Sequence, residues 1–237
     1  MLGGGGLVLW ALTRQSDDSN GGGEVNPLQF INALPMDARP YAEDFQMAGK
    51  DYGLDPFQLA AIAEKESRFG LALKPPGPGG TGDFTPRTWT PFPMPPDGLG
   101  WGRGLMQIDY YSNLDWLNGH DWRNPLENIR RGAKILREKY NYFRKSGNSN
   151  GVVLDAKQAA RRGVSPGTFY DPRPLEGETL VRAALAAYNG GQLYVLQSIA
   201  AGLDPDFTTS GGHYGSNVLA AAQRYGAAYV AGGGVYV

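Results

Sequence analysis

Glu66 occupies a position where a charged side chain is rarely found, in the middle of an apolar helix face. Around it, Leu59, Ile62, Ala63 and Phe69 recur at a spacing that places them on one side of a helix. Glu66 lies between Ile62 and Phe69 on the same side. A carboxyl group on a buried face must stay neutral, be paired, or open to a cleft. Such a group either donates a proton in a cleft or is held by arginine or backbone donors for stability alone.

The segment around Glu66 also carries the signals that begin and end a helix. Asp55 is a favourable N-cap, and Pro56 suits the first helical turn. Gly70 is a good C-terminal stop, so the sequence predicts a helix from Pro56 to Gly70. The other charged side chains of this segment are expected to be solvated on the remaining faces: Glu64, Lys65 and Arg68.

The composition excludes several classes of function. Lysine plus arginine is 22 and aspartate plus glutamate is 23 in a chain of 237 residues, so the net charge is −1. This balance argues against nucleic-acid binding, which favours a clear basic excess. There is no cysteine, and the only histidines are His120 and His213. The usual zinc sites, cysteine nucleophiles and disulfides are therefore excluded, and we expect neither a metal nor a cofactor.

Glycine and proline divide the chain into regions. Residues 1–26 predict a flexible Gly-rich leader, and their uncharged stretch is too short to span a bilayer. This leader lacks the basic region of a secretion signal, although a remnant of an anchor or export signal remains the alternative. Residues 27–237 predict a single domain with Pro/Gly-rich insertions near 71–100 and 146–178. The aromatics of the first insertion favour a packed loop: Phe84, Trp89 and Phe92.

The remaining periodic segments are helical. In "NPLENIRRGAKILREKYNYF", Asn124 is the predicted N-cap, Pro125 the first helical residue and Glu127 a capping-box partner. The apolar face of this helix comprises Leu126, Ile129, Ala133, Leu136, Tyr140 and Phe143. Three further helices are predicted near the C-terminus, and a short one over Ala156 to Arg162. Strand signals are few, so the core is expected to be helical.

Four segments carry a resemblance beyond periodicity: "IAEKESRFG", "GRGLMQID", "NPLENIRRGAKIL" and "ALAAYNGG". In this order they resemble the lysozyme-like superfamily, and in particular the goose-type lysozymes and soluble lytic transglycosylases of glycoside hydrolase family 23. The segment "HYGSNVLAAAQRY" is similar to the closing helix of the goose-type branch. The resemblance covers Leu54 to Tyr225 and implies a mainly α (α+β lysozyme-like) fold, a helical bundle around a glycan cleft with little sheet.

The resemblance implies that Glu66 is the general acid that cleaves the β-1,4 bond between MurNAc and GlcNAc in peptidoglycan. A free glutamate, with a pKa of about 4.3, is a poor proton donor at neutral pH. Partial burial against apolar groups would raise the pKa of the carboxyl group and keep it protonated. The position of Glu66 on the apolar face agrees with this role.

The resemblance also implies the residues that hold the sugars. The segment "GRGLMQID" would form the cleft floor, with Gln107 and the backbone as hydrogen-bonding groups. From the residues alone, this segment is equally a tight turn with close backbone packing. Tyr188 resembles the family's tyrosine that places the acid, although a core tyrosine is the plainer alternative. The predicted substrate-binding residues are Ser67, Met106, Gln107, Ile108, Tyr188, Asn189 and Tyr214.

A second acid decides between two reactions. In an inverting hydrolase, a carboxylate ~6.5–9.5 Å from the acid activates water. Asp109 follows "GLMQI" as in the goose-type pattern, Asp97 is a less certain counterpart, and Asp83 is a poorer candidate. Asp109 as a turn cap is the structural alternative. We expect hydrolysis with Asp109 or Asp97 positioning water.

Two other outcomes stay open. A lytic transglycosylase would form 1,6-anhydroMurNAc through Glu66 alone, and an inactive relative would act as a glycan-binding module of an envelope or phage. The expected partners are peptidoglycan glycan strands of GlcNAc and MurNAc, without nucleic acid and without a stable membrane span. We expect a monomer in the cell envelope, periplasmic or secreted, or one borne by a phage, although the sequence shows no clear export signal.

Overall fold

Nine α-helices and two small antiparallel sheets make up the residues that the computed structural model describes, 26–88 and 90–234. The prediction of a mainly α fold with little sheet is confirmed. Except for Asn26, the predicted leader lies outside the described residues, as does Trp89. The described chain groups into two compact units. The first holds the residues up to 134 and from 222 onward, and the second holds residues 135–221.

The first unit is built mainly from helices of its N-terminal half. These are α1 (Pro27–Ala33), a 3₁₀-helix (Met36–Tyr41), α2 (Ala42–Tyr52), α3 (Pro56–Ser67) and α4 (Leu114–Gly119). Two longer helices have residues in both units: α5 (Pro125–Arg144) and α9 (Tyr214–Ala231). Among the described helices, none combines the length and apolarity that crossing a membrane requires.

Helix α3 begins as the sequence predicts. The Asp55 carboxylate accepts a hydrogen bond from the Phe57 backbone N–H at 2.9 Å, and Pro56 is the first helical residue. The apolar face is buried, since Leu59, Ile62 and Ala63 are fully inaccessible to solvent. Burial of three such side chains contributes several kcal/mol by the usual area relation, about 25 cal/mol per Å².

The end of α3 differs from the prediction. The helix stops at Ser67, before Gly70, because Arg68 and Phe69 adopt left-handed backbone conformations with φ of 50° and 55°. Glu64 also differs, since it is not simply solvated. The Tyr225 hydroxyl of α9 donates a hydrogen bond to its carboxylate at 2.6 Å. Burial and this bond raise the pKa of Tyr225.

A three-stranded sheet follows α3 in the first unit. Its strands are β1 (Thr81–Gly82), β2 (Gly102–Arg103) and β3 (Ile108–Asp109), in the antiparallel order β1-β2-β3. Thr81 pairs with Arg103, and Gly102 pairs with Asp109. Strand β1 lies within the first predicted insertion, near 71–100, and a long proline-rich loop then leads from β1 back to the neighbouring strand β2.

The second unit contains the other predicted insertion. Its elements are β4 (Val152–Leu154), α6 (Ala156–Arg162), β5 (Gly167–Phe169), α7 (Gly177–Gly190), α8 (Gln192–Ala200) and two 3₁₀-helices (Pro205–Thr208 and Ser210–Gly212). Strands β4 and β5 pair antiparallel and flank α6 in the sequence. The short helix predicted over these residues is confirmed by α6. Asp155 and Gln158 form a reciprocal capping box at its start.

A buried carboxylate fixes the base of this second insertion. Asp171 accepts hydrogen bonds from Arg173 Nη2 at 2.7 Å and from the Asn148 backbone N–H at 2.9 Å. These donors lower the pKa of Asp171 to about 2, with the Arg173 bond as the largest cause, despite the opposing effect of burial. The two ends of the insertion are therefore joined through one side chain.

We predict that Asp171→Asn lowers the free energy of unfolding of the protein at pH 7 by roughly 2 kcal/mol. A depressed pKa stabilises the fold above the unfolded value near 4. This contribution is lost as the pH falls towards 2, so wild type and variant should converge in acid. Urea unfolding between pH 7 and 2.5 measures the difference. Asp115→Asn, at an exposed position of α4, is the control. A gap between wild type and Asp171→Asn that stayed constant with pH would contradict the ion pair.

Candidate active site

Glu66 lies in the last turn of α3, one residue before the helix ends, and it is half-buried. The residues that precede it on the same face are fully buried, so the carboxyl group sits where the core meets the surface. The C-terminal end of a helix carries partial negative charge, which opposes the charge of a carboxylate. This position suits a group that holds and releases a proton.

Ser67 ends the helix and is fully buried. Its hydroxyl donates to the Ala63 carbonyl at 3.0 Å and accepts from the Gly70 backbone N–H at 3.0 Å. The serine therefore ties the turn after Glu66 to the last helical turn. A direct contact of Ser67 with sugar stays a prediction, since both of these bonds serve the turn.

Backbone-to-backbone hydrogen bonds connect this turn to the sheet. Gly77 N donates to Gly70 O at 3.0 Å, Gly80 N to Gly77 O at 3.2 Å, and Gly104 N to Gly80 O at 3.0 Å. A Cβ atom on Gly70 would lie 2.9 Å from the backbone of Gly77, so the approach requires glycine. We refer to these four residues as the glycine chain. It links the helix end that carries Glu66 to the turn between β2 and β3.

Asn128 of α5 holds the other side of that turn. Its fully buried amide accepts from the Met106 backbone N–H at 2.8 Å and donates to the carbonyls of Arg103 at 3.0 Å and Trp122 at 3.2 Å. Met106 is itself buried and lies against Gly132 of the same helix. The side chains of Met106 and Ile108 are thus buried, and their contact with sugar stays a prediction.

Gln107 is a partly exposed side chain in the turn between β2 and β3. It adopts a left-handed conformation with φ of 46°, and its amide Nε2 donates to the Gly104 carbonyl at 2.9 Å. The amide lies over the backbones of Gly82 and Gly102, where no side chain intervenes. Gln107 is therefore held flat on the sheet with its carbonyl oxygen next to both strands.

Asp109 and Asp83 share one arginine. Arg87 Nη1 donates to Asp109 Oδ2 at 2.6 Å, and Arg87 Nη2 donates to Asp83 Oδ2 at 2.8 Å. Asp109 Oδ1 also accepts from the Ser112 backbone N–H at 3.0 Å, which is the turn cap that the sequence left open. The sheet brings the two aspartates together because Asp83 follows β1 and Asp109 ends β3.

Asp97 is engaged elsewhere. Its carboxylate accepts two hydrogen bonds from Nη2 of the buried Arg103, at 3.0 and 2.9 Å. It also accepts from the Leu99 backbone N–H at 3.0 Å. Arg103 further donates to the carbonyls of Leu99 and Gly100, so Asp97 closes the end of the proline-rich loop.

Backbone strain concentrates at these segments. Within the described residues, the non-glycine positions with positive φ are Arg68, Phe69, Asp83 and Gln107. Two of them directly follow the Glu66–Ser67 pair, one follows β1, and one lies in the turn between β2 and β3. Such conformations cost of order 1–3 kcal/mol each and cluster at functional sites. Their distribution marks the end of α3 and the sheet as one candidate site.

One aromatic residue of the first insertion, Phe92, packs against the segment that follows Asp109. Phe92 stacks on Tyr111 with ring centroids 4.6 Å apart and an interplanar angle of 14°. Tyr111 contacts Trp101 and Tyr110 as well. Phe92 is half-exposed, so the described part of this loop is packed against the segment after β3 and still presents an aromatic surface.

The other predicted sugar-binding residues belong to the second unit. Tyr188 is half-buried at the end of α7, and the exposed Asn189 accepts a hydrogen bond from the Ser210 backbone N–H at 2.9 Å. Tyr214 is buried at the start of α9, where its backbone N–H donates to Thr209 Oγ1 at 3.2 Å. Their contact with glycan stays a prediction.

Arg87 and Asn128 were not predicted to belong to the site, and Asp97 was ranked above Asp83. Arg87 lies among prolines, where periodicity gives no information. Asn128 sits on the buried face of the predicted α5, so a polar residue in that stripe was the available signal. Asp83 was the poorer candidate, and its link to Asp109 through Arg87 arises only in the folded chain.

The described fold is mainly helical, and the helix that bears Glu66 is tied at its end to a small sheet. The chain belongs to the family described as the Transglycosylase SLT domain, whose model matches residues 43–206. Membership makes the protein a peptidoglycan-cleaving glycosidase or lytic transglycosylase, and the predicted superfamily is confirmed. A search of the curated proteins found no match.

We predict that Asn128→Ala lowers the free energy of unfolding by about 2–4 kcal/mol and reduces wall-cleaving activity. Three buried backbone groups would lose their partner, and the turn that carries Gln107 would lose its support. Thermal unfolding and a turbidity assay measure the two effects. Asn118→Ala, at an exposed position of α4, is the matched control. An unchanged melting temperature for Asn128→Ala would show that the amide does not hold the turn.

Proposed function

We propose that the protein cleaves the β-1,4 bond between MurNAc and GlcNAc with Glu66 as the general acid. The observation that carries this proposal is the set of left-handed residues around Glu66 and the sheet. Strain of this kind persists only where the surrounding structure fixes it. Here the surrounding structure fixes the helix end that bears Glu66 and the turn that bears Gln107. This arrangement supports a role for Glu66 as an acid next to a sugar-binding turn.

The proposed reaction begins with proton transfer. Glu66 gives its proton to the glycosidic oxygen as the bond from that oxygen to C1 of MurNAc breaks. The carboxylate formed then accepts the proton of the MurNAc C6 hydroxyl. The hydroxyl oxygen bonds to C1 and closes the 1,6-anhydro ring. Glu66 is returned to its protonated form, and no water is consumed.

Two ion pairs favour this transglycosylase route over hydrolysis. A base that activates water must hold that water on one of its oxygens, and hydrogen bonds from a guanidinium group compete for the same oxygens. Asp109 is held by Arg87, and Asp97 is held by Arg103. In this arrangement both predicted water-activating residues are occupied, whereas the transglycosylase route needs Glu66 alone.

Hydrolysis is the second candidate. Asp83 and Asp109 lie at the ends of strands in one sheet and meet at one arginine, so two carboxylates are close together. If Arg87 releases Asp109, that carboxylate could hold water, as the sequence predicts. An inactive glycan-binding module is a third candidate. Measuring cleavage by the wild type and by a Glu66 variant decides whether the protein is active.

The substrate is proposed to be the glycan strand of peptidoglycan. Gln107, Tyr188 and Asn189 are the proposed hydrogen-bonding groups, with Tyr214 supporting them. The exposed face of Phe92 suits stacking against a sugar ring. The proposed site of action is the envelope, either periplasmic or secreted or reached from a phage, and the proposed active form is a monomer.

We predict that Glu66→Gln abolishes cleavage of purified peptidoglycan and leaves binding to isolated glycan strands. Glutamine keeps the size of the side chain and lacks the acidic proton. The loss should exceed about 10²-fold in a turbidity assay. Glu64→Gln is the matched control on the same helix, since its side chain can still accept from Tyr225. Residual activity above a few per cent in Glu66→Gln would refute the assignment of the acid.

We predict that the wild-type enzyme releases mainly 1,6-anhydro muropeptides. These products are one water lighter than hydrolytic ones and resist reduction by borohydride, because they have no reducing end. Mass spectrometry of a peptidoglycan digest, with and without borohydride, separates the two. A digest dominated by reducible products would favour the hydrolytic route through Asp109.

A further inference from the structure

Arg87 is the one described residue that joins the proline-rich loop to both strand-end aspartates. Its Nη1 contacts Asp109 at 2.6 Å, while Nε and Nη2 contact Asp83 at 3.1 and 2.8 Å. The arginine side chain is mostly buried, with 20% exposed, whereas Asp83 is 41% exposed. The guanidinium group therefore lies between the two carboxylates and is less exposed to solvent than Asp83.

Trp101 holds the guanidinium group from behind. The Arg87 Cζ atom lies 4.3 Å from the centroid of the indole ring, a close cation–π distance. Trp101 is itself buried, and its indole N–H donates to the Thr85 carbonyl at 3.1 Å. Its backbone N–H donates to the Asp83 carbonyl at 2.9 Å. Arg87 is thus fixed by the same loop and strand that position the aspartates.

This contact bears directly on the availability of Asp109. Oδ2 is occupied by Arg87 and Oδ1 by the Ser112 backbone N–H. A water placed for attack on a sugar must transfer its proton to one of these oxygens. Each of these two donors takes a position at Asp109 that such a water would otherwise occupy.

We propose that Arg87 is a positioning residue that determines the product of the reaction by holding Asp109 away from water. With Arg87 in place, the MurNAc C6 hydroxyl attacks C1 and the anhydro product forms. Without it, Asp109 accepts a proton from water, the water oxygen bonds to C1, and Glu66 gives its proton to the leaving oxygen. The proton on Asp109 then passes through solvent to restore Glu66. This proposal rests on the proposed function, in which Glu66 is the acid.

The test is the ratio of reducible to anhydro products in Arg87→Met. Methionine keeps an apolar stem against Trp101 and removes the charge. We expect the share of reducible product to rise at least about tenfold, since a positioned general base typically contributes 10²–10⁴-fold. The double variant Arg87→Met with Asp109→Asn should return to the wild-type ratio, because no base is then present.

Arg123→Met is the matched control. Arg123 also lies over a tryptophan, with its Cζ atom 4.1 Å from the Trp122 ring centroid. Among the described residues, it forms no ion pair with a carboxylate. Its variant should leave the product ratio unchanged. A parallel shift in Arg123→Met would mean that surface charge in general, rather than the clamp on Asp109, changes the product.

Thermal unfolding of Arg87→Met checks that the loop keeps its fold. If that variant does not fold, Arg87→Lys decides, because lysine keeps a charge but cannot bridge both carboxylates with a planar fork. An unchanged ratio in a folded Arg87 variant overturns this inference and leaves Glu66 as the acid. Mainly reducible products from the wild type also overturn it. Full activity of Glu66→Gln would instead overturn the proposed function itself.

Discussion

The close backbone contact between the end of α3 and the sheet is the constraint on which the site depends. Backbone hydrogen bonds link the members of the glycine chain, Gly70, Gly77, Gly80 and Gly104. A side chain on Gly70 would force its backbone away from that of Gly77. Because backbone hydrogen bonds have little freedom in length, backbone geometry sets the position of Glu66 relative to the turn between β2 and β3. The surrounding helices then need only to bury this frame, as Asn128 does from α5.

Charge is distributed on this frame in two different ways. Glu66 lies at the C-terminal end of a helix with buried apolar residues behind it. Asp83 and Asp109 lie at strand ends, where Arg87 donates hydrogen bonds to both. The helix end and the strand ends therefore place their carboxyl groups among different neighbours.

The sequence predicted the helices better than it predicted the sheet. Helix α3 and its buried face follow from the spacing of Leu59 and Ile62, because a long periodic segment carries many signals. Strands of two residues carry almost none, so β1 to β3 could not be found in this way. For the same reason the closeness of Asp83 to Asp109 could not be predicted. The pairing that returns it to Asp109 crosses a proline-rich loop, and a contact across such a loop depends on tertiary structure alone.

The left-handed turn after Glu66 has a consequence for how this enzyme can change. Arg68 and Phe69 occupy a conformation that glycine adopts more easily, so glycine at the exposed Arg68 would relieve strain in the folded state. Glycine at Phe69 would instead remove a buried aromatic side chain. Either change would also loosen the turn that positions Glu66, so stability and the geometry of the site are linked at this turn. A lineage that adapts to heat would have to gain its stability elsewhere in the chain.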